Sequence, residues 1–210
     1  MKPLPHVMIT LALLLAAAVA PADEPAFTPE THFADRSYGS AFAVKLLGDV
    51  LDEPDVLARV AATADLGETD NSDALSLLAK ASRDNDARVR ATAATAAAVL
   101  NKPGSLDVVA PLLTDTDSRV VLRVLDAIRR LQPAEPPVAL TDLLGHDDPL
   151  VRASTLQTWT ALGRPAPDAT LATLVVDPTV FVRLRALANA LLCSDGARWV
   201  DAVDAAQPPA

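Results

Sequence analysis

Few side chains in this 210-residue chain are of a type and spacing that would do chemistry. There are three histidines and one cysteine. His6 falls in a segment read below as cleaved, which leaves His32 and His146. A mononuclear metal site needs several His, Asp or Glu ligands converging on one point. Gly145-His146-Asp147-Asp148 comes nearest, but it reads as a solvated turn whose Asp148 is already engaged as a helix cap. No metal or other cofactor is expected. Cys193 has no second cysteine to pair with and reads as a small core hydrophobe rather than a reactive thiol. The chain has no glycine-rich phosphate loop, and no serine or cysteine nucleophile stands beside a histidine base. Carboxylates are numerous, yet Asp86, Asp117 and Asp148 sit where an acidic side chain accepts the free amides of a helix start. A paired-carboxylate hydrolase is therefore unmotivated, and the sequence offers no catalytic residue.

The chain does offer a period. Val89, Val120, Val151 and Val182 recur at a step of 31 residues. The same step links Ala94, Leu125, Leu156 and Leu187, then Ala97, Ile128, Trp159 and Ala190, then Leu100, Leu131, Leu162 and Cys193. Half of the chain is apolar, so an unbroken set of apolar columns is far from chance. A fixed period in this range marks a repeat array. Upstream in each repeat run Leu78, Val109, Leu140 and Leu171, and beside them Ala81, Leu112, Leu143 and Leu174. Each repeat is thus a pair of helices with an apolar face that only stacking on a neighbour can bury. Trp159 shares a column with two alanines and an isoleucine, which makes it a core filler rather than an exposed anchor.

Aromatics are 3% of residues, glycines number seven, and alanine and leucine dominate, a composition for slim, close-packed helices. The formal charge of −9 repels phosphate backbones, so nucleic acid is not an expected partner.

Residues 1–22 read as a cleavable secretory signal. Lys2 precedes the uncharged run Ile9–Ala20, too short to span a bilayer, which takes about 20 residues. Ala20-Pro21-Ala22 predicts cleavage after Ala22, no cysteine is near enough for a lipid anchor, and no transmembrane segment remains in the mature chain. An alanine- and arginine-rich composition poor in lysine suggests a bacterium, hence a periplasmic or secreted product. Residues 23–40 read as a flexible leader. The array occupies 41–205. An irregular N-terminal helix pair covers 41–67, regular repeats cover 72–101, 104–132, 135–163 and 166–194, and a short capping helix covers 197–205. Residues 206–210 form a tail. Pro111 should bend the first helix of its repeat. Asp177-Pro178 lies two residues early relative to Asp148-Pro149, which predicts an extra residue or two in the turn before Val182.

Asp86-x-x-Val89-Arg90, Asp148-Pro149-x-Val151-Arg152 with Ala161-Leu162-Gly163, and Asp177-Pro178 with Val182-Arg183 resemble HEAT repeats. The subtype is the short one first noticed in phycobilisome lyases. The resemblance implies an all-α, right-handed α-solenoid of stacked helix pairs. It also implies a ladder of Asp and Arg from successive repeats, interrupted here where Val121 replaces arginine. Functionally it implies scaffolding or binding. HEAT-repeat deoxyhypusine hydroxylases carry repeated His-Glu pairs, and this chain has none.

Solenoids bind along the groove lined by one helix of each repeat, here the second. At about 100° per residue, positions three, six and ten after each column valine point away from the core. Among these, Thr92, Arg123, Ser154, Arg185, Asp126, Gln157 and Arg130 are the candidate partner-binding residues. Three arginines there suit a ligand bearing carboxylates. The sequence therefore reads as an exported, non-catalytic scaffold or adaptor for a protein or peptide, an acidic one. The alternative is an enzyme or cofactor carrier on the same scaffold, bilin lyase-like or metal-dependent hydroxylase-like. The missing His-Glu pairs and the signal segment disfavour it.

Overall fold

The structure, a computed structural model, describes residues 36–193, with side chains from Ser40 onward. The signal segment, most of the leader, the capping helix 197–205 and the tail 206–210 lie outside the described residues. Among those described there are ten α-helices and no strand. They pair as α1 (Arg36–Val50) with α2 (Val56–Gly67), α3 (Ala74–Ala81) with α4 (Ala87–Leu100), and α5 (Ser105–Val109) with α6 (Ser118–Leu131). Then come α7 (Ala139–Asp142) with α8 (Pro149–Ala161), and α9 (Asp168–Leu174) with α10 (Val180–Cys193). No described helix is long and apolar enough to cross a membrane.

The second helices begin at Val56, Ala87, Ser118, Pro149 and Val180, one period apart throughout. Local chemistry sets the first four starts. Asp55, Asp86, Asp117 and Asp148 are N-caps whose carboxylates accept from the amides of Leu57, Arg88, Arg119 and Leu150 at 2.8, 2.8, 2.9 and 2.8 Å, satisfying donors the helix leaves open. The side chain and backbone amide of Arg88 hold the Asp86 carboxyl down at about 2, and Arg119 does the same to Asp117. Past α2, α4, α6 and α8 or the turn that follows, the backbone turns left-handed in the same column, at Asp70, Asn101, Gln132 and Gly163, with φ of 53, 47, 47 and 67°. Only the last is glycine, so three ordinary residues carry the strain of that stop.

Two sequence expectations need correction. The N-terminal pair is not irregular: α1 starts at Arg36, and α2 keeps the period. Its phase is carried by Asp55 and Arg59, while Ala58 and Thr63 stand where later repeats have Val89 and Ala94, so apolar columns alone miss it. The turn before α10 holds no extra residue either. Asp177 belongs to the column of Asp84, Asp115 and His146, and the residue one period after Asp148 is Thr179. Pro111 acts as expected: α5 gives way to a 3-10 turn over Ala110–Thr114. The first element of the next repeat does the same over Leu143–Gly145 without a proline.

The predicted columns form the core. Val89, Val120, Val151 and Val182 are all fully buried, as are Leu78, Val109, Leu140 and Leu171. Second helices pack on second helices along the array. The α2–α4 approach is close because Gly67 lies against Ala96; a Cβ at Gly67 would stand 2.8 Å from the Ala96 Cα.

An ion-pair ladder ties the repeats together. Arg59 donates to Asp84 at 2.8 and 3.0 Å, Arg90 to Asp115 at 2.6 and 2.9 Å, and Arg152 to Asp177 at 2.9 and 3.0 Å. Each arginine also donates to two carbonyls of its own turn, as Arg90 does to Asp84 and Asn85, and the aspartate receives the amide two residues on. Bidentate guanidinium–carboxylate geometry of this kind is directional as well as strong. The rung between α6 and α8 is absent, as Val121 predicts, and both halves are changed: Val121 is fully buried, and His146 takes the aspartate's place. His146 accepts the Asp148 amide on Nδ1 at 2.9 Å, copying the aspartate's local bond without its charge. It is a structural part of the turn and not merely solvated.

Candidate partner-binding face

The outward faces of α4, α6 and α8 meet in two shallow depressions. One, of about 450 Å³, is lined by Arg119, Leu122, Arg123, Asp126 and Ser154. The other, of about 150 Å³, is lined by Thr95, Ala98, Arg123, Asp126, Ala127 and Arg130. Four of the sequence-predicted residues, Arg123, Asp126, Arg130 and Ser154, therefore come together, with Arg123 and Asp126 in both hollows. Gln157 is exposed on α8, and Thr92 is half-buried with its hydroxyl donating to the Arg88 carbonyl at 2.8 Å. Arg185 is exposed on α10 and lines neither depression. It shares a column with Arg123, but α8 stands between their helices.

The charge in this face is less free than the sequence suggests. Asp126 sits between two arginines, 3.8 Å from Arg123 and in a closer pair with Arg129. Arg119 is held by Asp117 at 2.6 Å. Sequence reasoning missed Arg119 and Arg129. Arg119 repeats Arg88 one period later, just ahead of the column valine. Arg129 lies nine residues after Val120, on the flank facing the next repeat, and its length lets it cross the seam. It donates to the Thr158 hydroxyl at 2.8 Å and reaches Ser154 at 3.3 Å. That bridge stands beside the missing rung.

The other singled-out residues are structural. Trp159 packs against both apolar clusters, and its buried indole nitrogen has no hydrogen-bond partner. Cys193 is half-buried with Sγ 3.9 Å from the Thr160 carbonyl, and burial pushes its thiol up, away from reactivity. No cluster of three or more metal-ligating side chains exists among the described residues.

A sequence model of HEAT repeats matches residues 44–129, the stretch from within α1 to within α6. No curated protein matches the chain significantly. Among solved structures, the complex of CpcE and CpcF of phycocyanin lyase from Nostoc sp. PCC7120 is similar at 19% identity over 90% of this chain and 98% of that one, with a TM-score of 0.33. Residues 44–129 thus match HEAT repeats, and beyond residue 129 the Asp148 cap, the left-handed stop at Gly163 and the Arg152–Asp177 rung keep the same phase to α10.

Proposed function

We propose that this chain is an exported, non-catalytic adaptor that holds a carboxylate-rich segment of a protein partner along its second helices. The reading rests on one observation above the others: Arg119, Arg123 and Arg130 border two adjoining hollows on the face of α4, α6 and α8. Only Asp126 opposes them within those hollows. An incoming carboxylate would replace Asp126 as the counter-charge of Arg123, and the planar fork of arginine suits that exchange. Leu122, which lines the larger hollow, gives an aliphatic contact beside the charges. An exposed face of this kind speeds association and weakens with salt.

The test is binding of a fluorescent oligo-glutamate peptide to the purified chain by anisotropy. Binding at low ionic strength that weakens with salt is expected, and so is a clear loss in Arg119→Glu/Arg123→Glu with the helical signal intact. Equal affinity in the folded double variant would remove this face from consideration. Colourless, metal-free protein purified from its native source would further favour an adaptor over a cofactor carrier.

A further inference from the structure

Among the described repeats, the seam between α6 and α8 lacks an Arg–Asp rung while the other three seams have one. The larger hollow opens over that seam: α6 supplies Arg119, Leu122, Arg123 and Asp126, and α8 supplies Ser154. A different polar link crosses there. One guanidinium nitrogen of Arg129 donates to the Thr158 hydroxyl at 2.8 Å and reaches the carbonyl and hydroxyl of Ser154 at 3.3 Å, while another is paired with Asp126. At the α4–α6 seam the positions of Arg129 and Ser154 hold Ala98 and Arg123, and at the α8–α10 seam they hold Thr160 and Arg185. The residues of this link therefore stand together where the rung is missing and at neither neighbouring seam.

Both ends of the link line the hollow. On α6, Asp126 anchors Arg129 and also stands 3.8 Å from Arg123. On α8, the half-buried Ser154 receives Arg129 on its hydroxyl oxygen, which leaves the hydroxyl proton for another acceptor. A carboxylate entering the hollow would meet Arg123 from one side of the seam and that proton from the other. A carboxylate accepts from several donors at once, and its bonds to charged donors are the strong ones. Its charge would displace Asp126 from Arg123 and leave Asp126 to Arg129, which keeps its donors on Ser154 and Thr158.

We infer, resting on the carboxylate-binding face proposed above, that a carboxylate bound in the larger hollow is a removable rung. Joined to Arg123 on α6 and Ser154 on α8, it takes the place of the missing Arg–Asp pair and stiffens this seam whenever the face is occupied. Hydrogen exchange of the full chain at low ionic strength, with and without the oligo-glutamate peptide, tests it. A ligand held by α6 alone leaves unchanged any opening of α8 in which α6 stays folded, whereas a ligand held by both helices opposes that opening. With peptide at about a hundred times its Kd, amides of α8 should exchange at least about tenfold more slowly. Ser154→Ala should still bind the peptide, more weakly and with the helical signal kept, and at matched saturation it should lose most of that slowing. Peptide binding by anisotropy with no slowing in α8 would overturn the removable rung and leave the adaptor reading intact. Equal slowing in Ser154→Ala would overturn it too, by removing Ser154 as the α8 anchor. A parent chain that does not bind the peptide would overturn both.

Discussion

Between α4 and α6, Arg90 clamps Asp115 at 2.6 and 2.9 Å; between α6 and α8, the same two positions hold Val121 and His146. The two seams repeat one architecture with different cement. At the first, the charge pair is set among alanines. Ala93, Ala94, Ala96, Ala97 and Ala98 of α4 are all buried, and one apolar cluster runs from Val44 to Leu143 and takes in Val151 at the start of α8. Beyond the second seam a separate cluster gathers Leu144, Leu156, Leu171 and Val182. Trp159 spans the two, and Arg129 crosses by hydrogen bonds to α8. The second block also buries more polar groups. Thr155, Thr158 and Asn189 have no exposed surface and spend their hydrogen bonds on backbone and on one another's turns. Arginine and aspartate are both missing at the second seam, so neither is left buried without its partner, the costly case for a half-broken pair. The larger hollow of the partner-binding face opens over this seam. A ligand seated there would touch both blocks.

The contrast can be broken at its strong side first. Arg90→Ala removes the clamp, strands Asp115 at 6% side-chain exposure and frees two carbonyls, so it should cost about 3–5 kcal/mol in urea unfolding. A cost under about 1 kcal/mol would mean the rung does not hold the seam. Leu156→Ala in the second block should cost about 2–5 kcal/mol. Its losses of amide protection should concentrate in α8 and α10, since repeats contact chiefly their neighbours. Uniform loss across all helices would count against two blocks. The missing rung can then be put back. Val121→Arg alone should destabilise, and adding His146→Asp should recover a coupling of about 1–3 kcal/mol in a double-mutant cycle. Additive effects would show that the two positions do not meet.

The smallest effect is in acid. Asp84 and Asp115 are held below the ordinary 3.8 chiefly by hydrogen bonds from Arg59 and Arg90. At Asp177, burial pulls upward but the Arg152 and Thr179 bonds outweigh it. Carboxyls depressed in the folded state contribute stability that is fully present above 3.8 and lost as pH falls through the folded values. The stability gap between the parent and Asp115→Asn, measured by thermal melts, should therefore stay constant near neutrality and narrow in acid. A gap that widens in acid would reverse the assigned sign.

The apolar columns, the aspartate caps and the break at Val121 were legible because each recurs or fails at a fixed step. Asp177 was misleading because its neighbour Pro178 copies the Asp148-Pro149 pair, although its distance from Asp115 marks it as a rung residue. The N-terminal pair hid its phase in Asp55 and Arg59 while its apolar positions shrank to alanine and threonine. The face of α4, α6 and α8 followed from helix angle, which gives direction but not reach. A long side chain such as Arg129 therefore crosses a seam that no wheel assigns to it. The same arithmetic put Arg123 and Arg185 in one column two repeats apart, and α8 lies between their helices. The lengths of the first helices were not legible, since 3-10 turns end α5 and α7 with and without proline.

Native-state hydrogen exchange of the intact chain tests the two-block array most directly. Amides of α2, α4 and α6 should share one opening free energy, and those of α8 and α10 a lower one, with the step falling between Leu131 and Pro149. Exchange of all five helices at a single free energy, or a step placed between α4 and α6, would contradict it.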